Sequence, residues 1–410
     1  MFKLVWPTLV SLSVFSGALA ENLTINSIHS DPEAKKAFEL VLAGFKKENP
    51  AMEVKVNTID HESYKVQLRT WLPTNPPDVA TWFAGNRAGY FVEKGLIEPI
   101  DDIWKEFENE FPESAKSVVT FSGKKYLVPA NYYHWGFYYR KDLFSKAGIT
   151  ETPSDWEQFK ASITKLKALD VTPIAIGTKQ GWPAAGWFDF VNMRVNGADF
   201  HLNLLNGKES FTDPKVKKSF DTWAQVIDMG AFPKNAPALT WQEARALLFQ
   251  GKAAMYLMGN FLVGDLPADQ KDKLGFFPFP TIDKSIADAQ VAPTDVYFIP
   301  SKAKNKESAK KFLKYMLRAD VQTQYNQVSG LLPPNLKSKV DPSNPYLVQG
   351  QQLLSKASRL SQFFDRDADP EVAKVGMDGF VEFMSDTKKS TKVLTKLQSV
   401  SARVHKSKVN

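Results

Sequence analysis

The sequence predicts an α/β protein of two lobes, each a sheet covered on both faces by helices, wound from interleaved stretches of the chain. Three observations carry this. The chain has 410 residues, whereas single hydrophobic cores stop growing at about 250–300. Short apolar runs with a period of two alternate with longer runs of period 3.6, the rhythm of βαβ units. No internal repeat or low-complexity linker separates two halves, so the lobes share the chain. A composition of 43% hydrophobic, 12% aromatic and 24% charged residues excludes disorder.

Each element has its own signal. Leu23-Thr-Ile25 begins the first strand. Ala37, Phe38, Val41, Leu42 and Phe45 then fall on one stripe of a helix opened by Asp31-Pro32 and closed at Asn49-Pro50. Met52, Val54 and Val56 alternate as a second strand, and Asp78 to Trp82 is a third, after the breaker Pro76-Pro77. Capping boxes open two further helices: Ser154-x-x-Glu157, before Trp156, Phe159, Ile163 and Leu166, and Thr240-x-x-Glu243, before Ala244, Leu247 and Leu248. Val296 to Ile299 is a buried strand. A helix from about Glu307 to Leu317 turns Ala309, Phe312, Leu313 and Met316 inward, and the chain beyond Pro370 is mainly helical.

Residues 1–20 carry one charge, Lys3, ahead of an apolar run ending Ala18-Leu19-Ala20. That is the pattern of a secretory signal with an A-x-A cleavage site. The mature chain is expected to begin at Glu21, and losing Lys3 takes the formal charge from +7 to +6. The greasiest later stretch, Ala244 to Val263, is broken by Gln250, Lys252 and Asn260, so no span is expected. With zero cysteines there is no lipid-bearing thiol, disulfide or cysteine metal site, and a periplasmic address without a lipid anchor follows. The lysines are scattered over helix faces and no nucleic-acid motif accompanies them, so no nucleic-acid partner is expected.

Enzyme motifs are missing. No two of the 22 glycines are spaced i, i+2, which removes G-x-G-x-x-G, and neither a Walker loop nor G-x-S-x-G occurs. The five histidines have no ligand spacing, so neither metal nor cofactor is expected. The carboxylates Asp365, Asp367 and Asp369 leave an exported glycosidase open as the alternative. Against this stands an excess of aromatic residues at element ends: Trp82 and Phe83; Tyr132, Tyr133, His134 and Trp135; Trp182 and Trp187; and Trp241. Ring faces cover the C–H face of a pyranose while carboxylates, amides and arginine forks take its hydroxyls, a combination that suits a neutral sugar. Core packing is the competing account for any one of these rings.

The stretches Tyr126-Leu-Val-Pro129, Tyr138 to Phe144, Ala147-Gly-Ile149 and Thr152 to Glu157, followed in order by Phe249 to Met255, Gly259-Asn260, Phe276 to Pro280 and Ile299-Pro300, resemble the extracellular solute-binding proteins of sugar ABC importers, the group that includes maltose-binding protein. The family's Trp after this Gly-x-Ala-Ala-Met stretch is Phe261 here. The resemblance implies a type II periplasmic-binding-protein fold, a sugar held between the lobes, no chemistry, a membrane permease as partner and a monomer. It also implies crossings near Asn131, Pro293 and Pro333-Pro334, giving lobe one as 21–131 plus 294–335 and lobe two as 132–293 plus 336–410. The ligand-binding set it implies is His29, Ser30, Trp82, Gly85, Asn86, Arg87, Trp241, Asn260, Asp295, Asp365 and Arg366, to which the aromatic excess adds Tyr133, His134, Trp135 and Trp187.

Overall fold

The computed structural model describes residues 21–264 and 266–406; the expected signal segment lies outside them. The chain opens with β1 (Glu21–Ser27), α1 (Pro32–Glu48), β2 (Met52–Thr58), α2 (His61–Trp71), β3 (Val79–Phe83), α3 (Asn86–Glu93) and β4 (Leu127–Tyr132). Helix α1 buries the five residues its periodicity marks, Ala37, Phe38, Val41, Leu42 and Phe45. The chain then enters a second sheet through β5 (Trp135–Arg140), α4 (Trp156–Lys167), β6 (Thr172–Ala175), α5 (Trp182–Asn196), α6 (Ala198–Leu205), α7 (Pro214–Asp228), α8 (Trp241–Phe249), β7 (Ala253–Gly259), β8 (Leu274–Phe277) and β9 (Ala289–Val291). It returns with β10 (Thr294–Phe298), α9 (Lys306–Leu317) and α10 (Ala319–Ser329). It ends with α11 (Pro345–Lys356), β11 (Arg359–Ser361), α12 (Phe364–Asp367), α13 (Pro370–Ser385) and α14 (Ser390–Lys406).

The expected box at Thr240 forms, with the Thr240 and Glu243 side chains each bonding the other's backbone. The box expected at Ser154 sits one residue later. Asp155 accepts from the Gln158 N–H, and Gln158 Oε1 reaches back to Ser154. Asp wins the cap because its carboxylate both bonds the free N–H and meets the positive end of the helix dipole.

Two sheets result. The first has the order β2-β1-β3-β10-β4 and the second β8-β5-β7-β6. In the first, β1 runs parallel to β2 and β3 while β10 is antiparallel to β3 and β4. In the second, β6 is parallel to β7, with β5 antiparallel between β7 and β8. Separate cores form on them, one built around Phe38, Trp82, Trp104 and Phe312, the other around Phe159, Trp187, Trp223 and Phe380.

Where the chain passes between sheets, its segments lie side by side. Tyr132 and Leu332 exchange backbone bonds of 2.9 and 3.0 Å, and the Tyr133 N–H donates to Pro293 O at 3.2 Å. After α10, residues 335–339 stay bonded to the first sheet's elements: Leu336 N–H to Glu110 O, the Ser338 hydroxyl to Ala319 O, and Lys339 N–H to the Thr323 hydroxyl.

His134 is fully buried at this junction. Its ring stands edge-on to Phe276 at 4.9 Å and lies against Gly350 of α11, where an added Cβ would fall 1.9 Å from Nδ1. We predict that Gly350→Ala lowers stability by about 1–3 kcal/mol through overpacking, although alanine suits a helix better. Adding His134→Ala to that variant recovers part of the loss, readable by denaturant titration of the single and double variants.

Candidate functional site

In open α/β sheets, ligand sites form beyond the carboxyl ends of the strands, because loops and helix N-termini converge there. Both sheets turn that edge toward one cavity of about 270 Å³. From the first come His29 and Ser30 after β1, Asp60, His61 and Lys65 after β2, and Phe83 at the end of β3. From the second come Gln180 and Trp182 after β6, Trp241 and Arg245 of α8, and Phe261 after β7. Tyr133, Trp135, Pro293, Asp295, Phe363, Asp365 and Arg366, around the crossings, complete it.

The wall of the second lobe is aromatic. Trp135 packs on Phe363 at 4.7 Å, Trp182 touches Trp135, Trp241, Phe261 and Phe363 at 6.1–6.3 Å, and Trp241 meets Phe261 at 5.3 Å. Trp241 is half-buried, and the Arg245 guanidinium lies 5.2 Å from its ring centre.

The opposite end is charged and internally paired. Arg366 donates to Asp295 Oδ1 at 3.0 Å, to Thr294 O at 3.2 Å and to the Tyr133 hydroxyl, and its guanidinium covers the Phe83 ring at 4.2 Å. Arg87 pairs with Asp365, and Lys65 with Glu62 at 2.7 Å. Burial pushes the Asp295 carboxyl up, opposed by Arg366. Burial pushes Asp365 the same way, but the charges of Arg87, Lys65 and Arg366 outweigh it and hold that carboxyl below its usual range. His29 shares a hydrogen bond of 3.0 Å between its Nε2 and the Tyr297 hydroxyl. Burial lowers the His29 pKa to about 4, and burial with the Lys65, Arg366 and Arg87 charges lowers that of His61 to about 3, so both rings are neutral at pH 7.

Of the residues expected to bind ligand, the structure brings His29, Ser30, Tyr133, Trp135, Trp241, Asp295, Asp365 and Arg366 to the cavity. Six stand off it, and a seventh, His134, is the buried packing ring described above. Trp82 is 2% exposed beneath Phe83, because neighbouring strand residues point to opposite faces and only Phe83 reaches the edge. Trp187 lies five residues into α5, stacked on Trp223 in the core at 6.4 Å, while Trp182 at the helix start takes the lining place. Asn260 is buried, donating to Gly330 O at 2.6 Å. Gly85, Asn86 and Arg87 meet the other lobe instead. Gly85 has φ 77°, and a Cβ there would sit 2.6 Å from Asp367 Oδ1. Asn86 donates to Asp367 O at 2.7 Å and to Asn206 Oδ1 at 3.0 Å. His61, Lys65 and Phe363 were not anticipated; His61 opens α2 and Lys65 lies one turn further along it, on the segment that follows β2 as His29 follows β1.

Residues 30–323 match the family described as bacterial extracellular solute-binding protein. An uncharacterised ABC transporter extracellular-binding protein of Pyrococcus horikoshii is 30% identical over 76% of this chain and 71% of its own length. The multiple sugar-binding protein of Streptococcus mutans is 26% identical over 76% of this chain and 74% of its own. The bacterial solute receptor AcbH, described with an exclusive preference for β-D-galactopyranose, superposes with a TM-score of 0.89 at 31% identity, covering 94% of this chain and 99% of that one.

Burial raises the Asp367 pKa to about 6. Its sign opposes that of the histidines. The unfolded chain protonates His29 and His61 first, so they remove stability as pH falls from about 6.5 toward 4 for His29 and toward 3 for His61. The folded chain protonates Asp367 first, so its cost disappears as pH falls from about 6 to 4. Asp367→Asn is therefore expected to be more stable than the parent by about 1–3 kcal/mol at pH 7.5 and equal to it near pH 4, measured by denaturant unfolding at both pH values.

Proposed function

Because the chain belongs to the bacterial extracellular solute-binding proteins, we propose that it is a periplasmic receptor that captures a neutral sugar between its lobes and hands it to the permease of an ABC importer. The observation that carries this is the pairing, in one cavity, of an aromatic wall from one lobe with a set of mutually neutralised polar groups from the other lobe and the crossings. The rings cover the apolar face of a pyranose, and Asp295, Arg366 and His29 take its hydroxyls. Arg366 and Tyr133 bond Asp295 Oδ1, and Asn131 also reaches this carboxylate.

The mechanism is hinge closure. The first lobe, carrying residues 336–339 with it, moves against the second about the crossings, and a ligand that bonds both lobes shifts the population to the closed form. The protein acts as a monomer and performs no chemistry. In the turn that the glycosidase alternative relies on, every carboxylate is engaged in holding the fold. Asp365 pairs with Arg87, Asp367 accepts from Gln362 N–H at 3.2 Å, and Asp369 caps α13 through Glu371 N–H at 2.9 Å. Turnover of chromogenic glycosides would overturn the receptor reading. Among the described residues no helix is long and apolar enough to cross a membrane.

A thermal-shift screen over neutral hexoses, pentoses and their oligomers identifies the ligand, since a sugar at 100 times its dissociation constant stabilises by about 2.7 kcal/mol. For that sugar, Trp241→Ala is expected to cost about 2–4 kcal/mol of affinity by calorimetry, with the fold intact. A loss of less than tenfold reassigns Trp241 to packing. Asp295→Asn is expected to cost about 2–4 kcal/mol of sugar binding. Near-normal binding by a variant that melts clearly lower would instead make Asp295 a structural cap for Arg366.

A further inference from the structure

We propose that contacts between the lobes wall off one end of the cavity, so that it admits a single pyranose ring and rejects an oligosaccharide laid along the cleft; this rests on the sugar-receptor reading above. Three rows of contact separate the cavity from solvent at this end. Asp365 and Arg366 of the second lobe form the inner row and line the cavity. Behind them Arg87 of the first lobe holds Asp365 through its carboxylate and, at 3.0 Å, its carbonyl oxygen. The Arg87 guanidinium is also packed 5.2 and 5.1 Å from the Trp82 and Phe83 ring centres. Outermost, Asn86 ties the first lobe to Asp367 O and Asn206 of the second. Gly85 lets the backbone of α3 approach the 362–367 turn this closely.

The side chains of the Arg87–Asp365 pair are 15% and 10% exposed. A second ring pushed through this end has to part them, breaking an ion pair that is largely out of water, at a cost that contact with one more sugar ring has to meet. The other end is different in kind. The exposed lining residues, Asp31, Pro32, Asp60, Gln242 and Gly264, form the mouth. The cavity volume of about 270 Å³ lies at the lower limit of the roughly 300–1,000 Å³ usual for small-molecule sites.

The experiment is calorimetric titration of the purified mature protein with hexoses and with the di- and trisaccharides built from each. The expected result is a monosaccharide that binds at least tenfold more tightly than its trisaccharide. A trisaccharide that binds as tightly as its monomer unit, or more so, overturns the length limit while leaving the receptor reading intact. No response to any sugar overturns the receptor reading and the length limit with it. The double variant Arg87→Ala/Asp365→Ala removes both charges together, so neither is left buried and unpaired. It is expected to narrow the monosaccharide-to-trisaccharide ratio at least fivefold. An unchanged ratio in the folded variant overturns the wall as the cause, and should that variant not fold, the titrations of the parent protein decide the length limit alone.

Discussion

Arg366 is the side chain on which the centre of the molecule converges. Its guanidinium bonds Tyr133 at one crossing, Thr294 and Asp295 at another, and lies on Phe83 of the first lobe, while its backbone belongs to a turn packed in the second. A planar, permanently charged fork can serve so many partners at once; a lysine in its place keeps the charge but not the geometry. Burial makes the arrangement obligatory, because a guanidinium out of water must spend its donors on acceptors. Everything around it follows from that demand. The Arg366 charge opposes the upward push that burial gives the Asp295 carboxyl, the Tyr133 hydroxyl is fixed, and the crossings keep one relative placement.

The same requirement explains why the inner end of the cavity is electrically quiet. Arg87, Arg366 and Lys65 face Asp365, Asp295 and Glu62, three cations to three carboxylates, each cation in an ion pair. Such a surface offers directed hydrogen bonds without a net field, and a neutral polyol uses those bonds at little cost in desolvation. An ionic substituent finds no unspent countercharge among these six.

Much of the fold could be read from the chain because period and punctuation agree along it. Helix α1 is the clearest instance: five apolar positions, a proline at the start and Asn-Pro at the end define its core face and its limits. The site was legible to about half its depth. Residues at crossings and strand ends, such as His29, Tyr133, Trp135, Trp241, Asp295 and Arg366, reach the cavity because topology delivers strand ends there. The misplacements are differences of direction. Trp82 and Phe83 are one residue apart on a strand, and Trp182 and Trp187 five apart on a helix, and in each pair sequence does not say which ring looks out. Lys65 was invisible for another reason: a lysine on a helix facing Glu62 reads as a solvated pair until the opposite lobe is present to bury it.

The strand order of the first sheet has a consequence for how the chain comes into being. Strand β10 lies between β3 and β4, yet residues 294–298 follow both by a long stretch that builds the other lobe. At about 5–20 residues per second, a ribosome takes on the order of ten to thirty seconds to reach them after finishing β4. Throughout that interval the nascent first sheet has open edges and no way to close. The topology thus withholds the native state until most of the polypeptide exists. The corresponding hazard is that β3 and β4 present unpaired backbone to neighbouring chains while they wait.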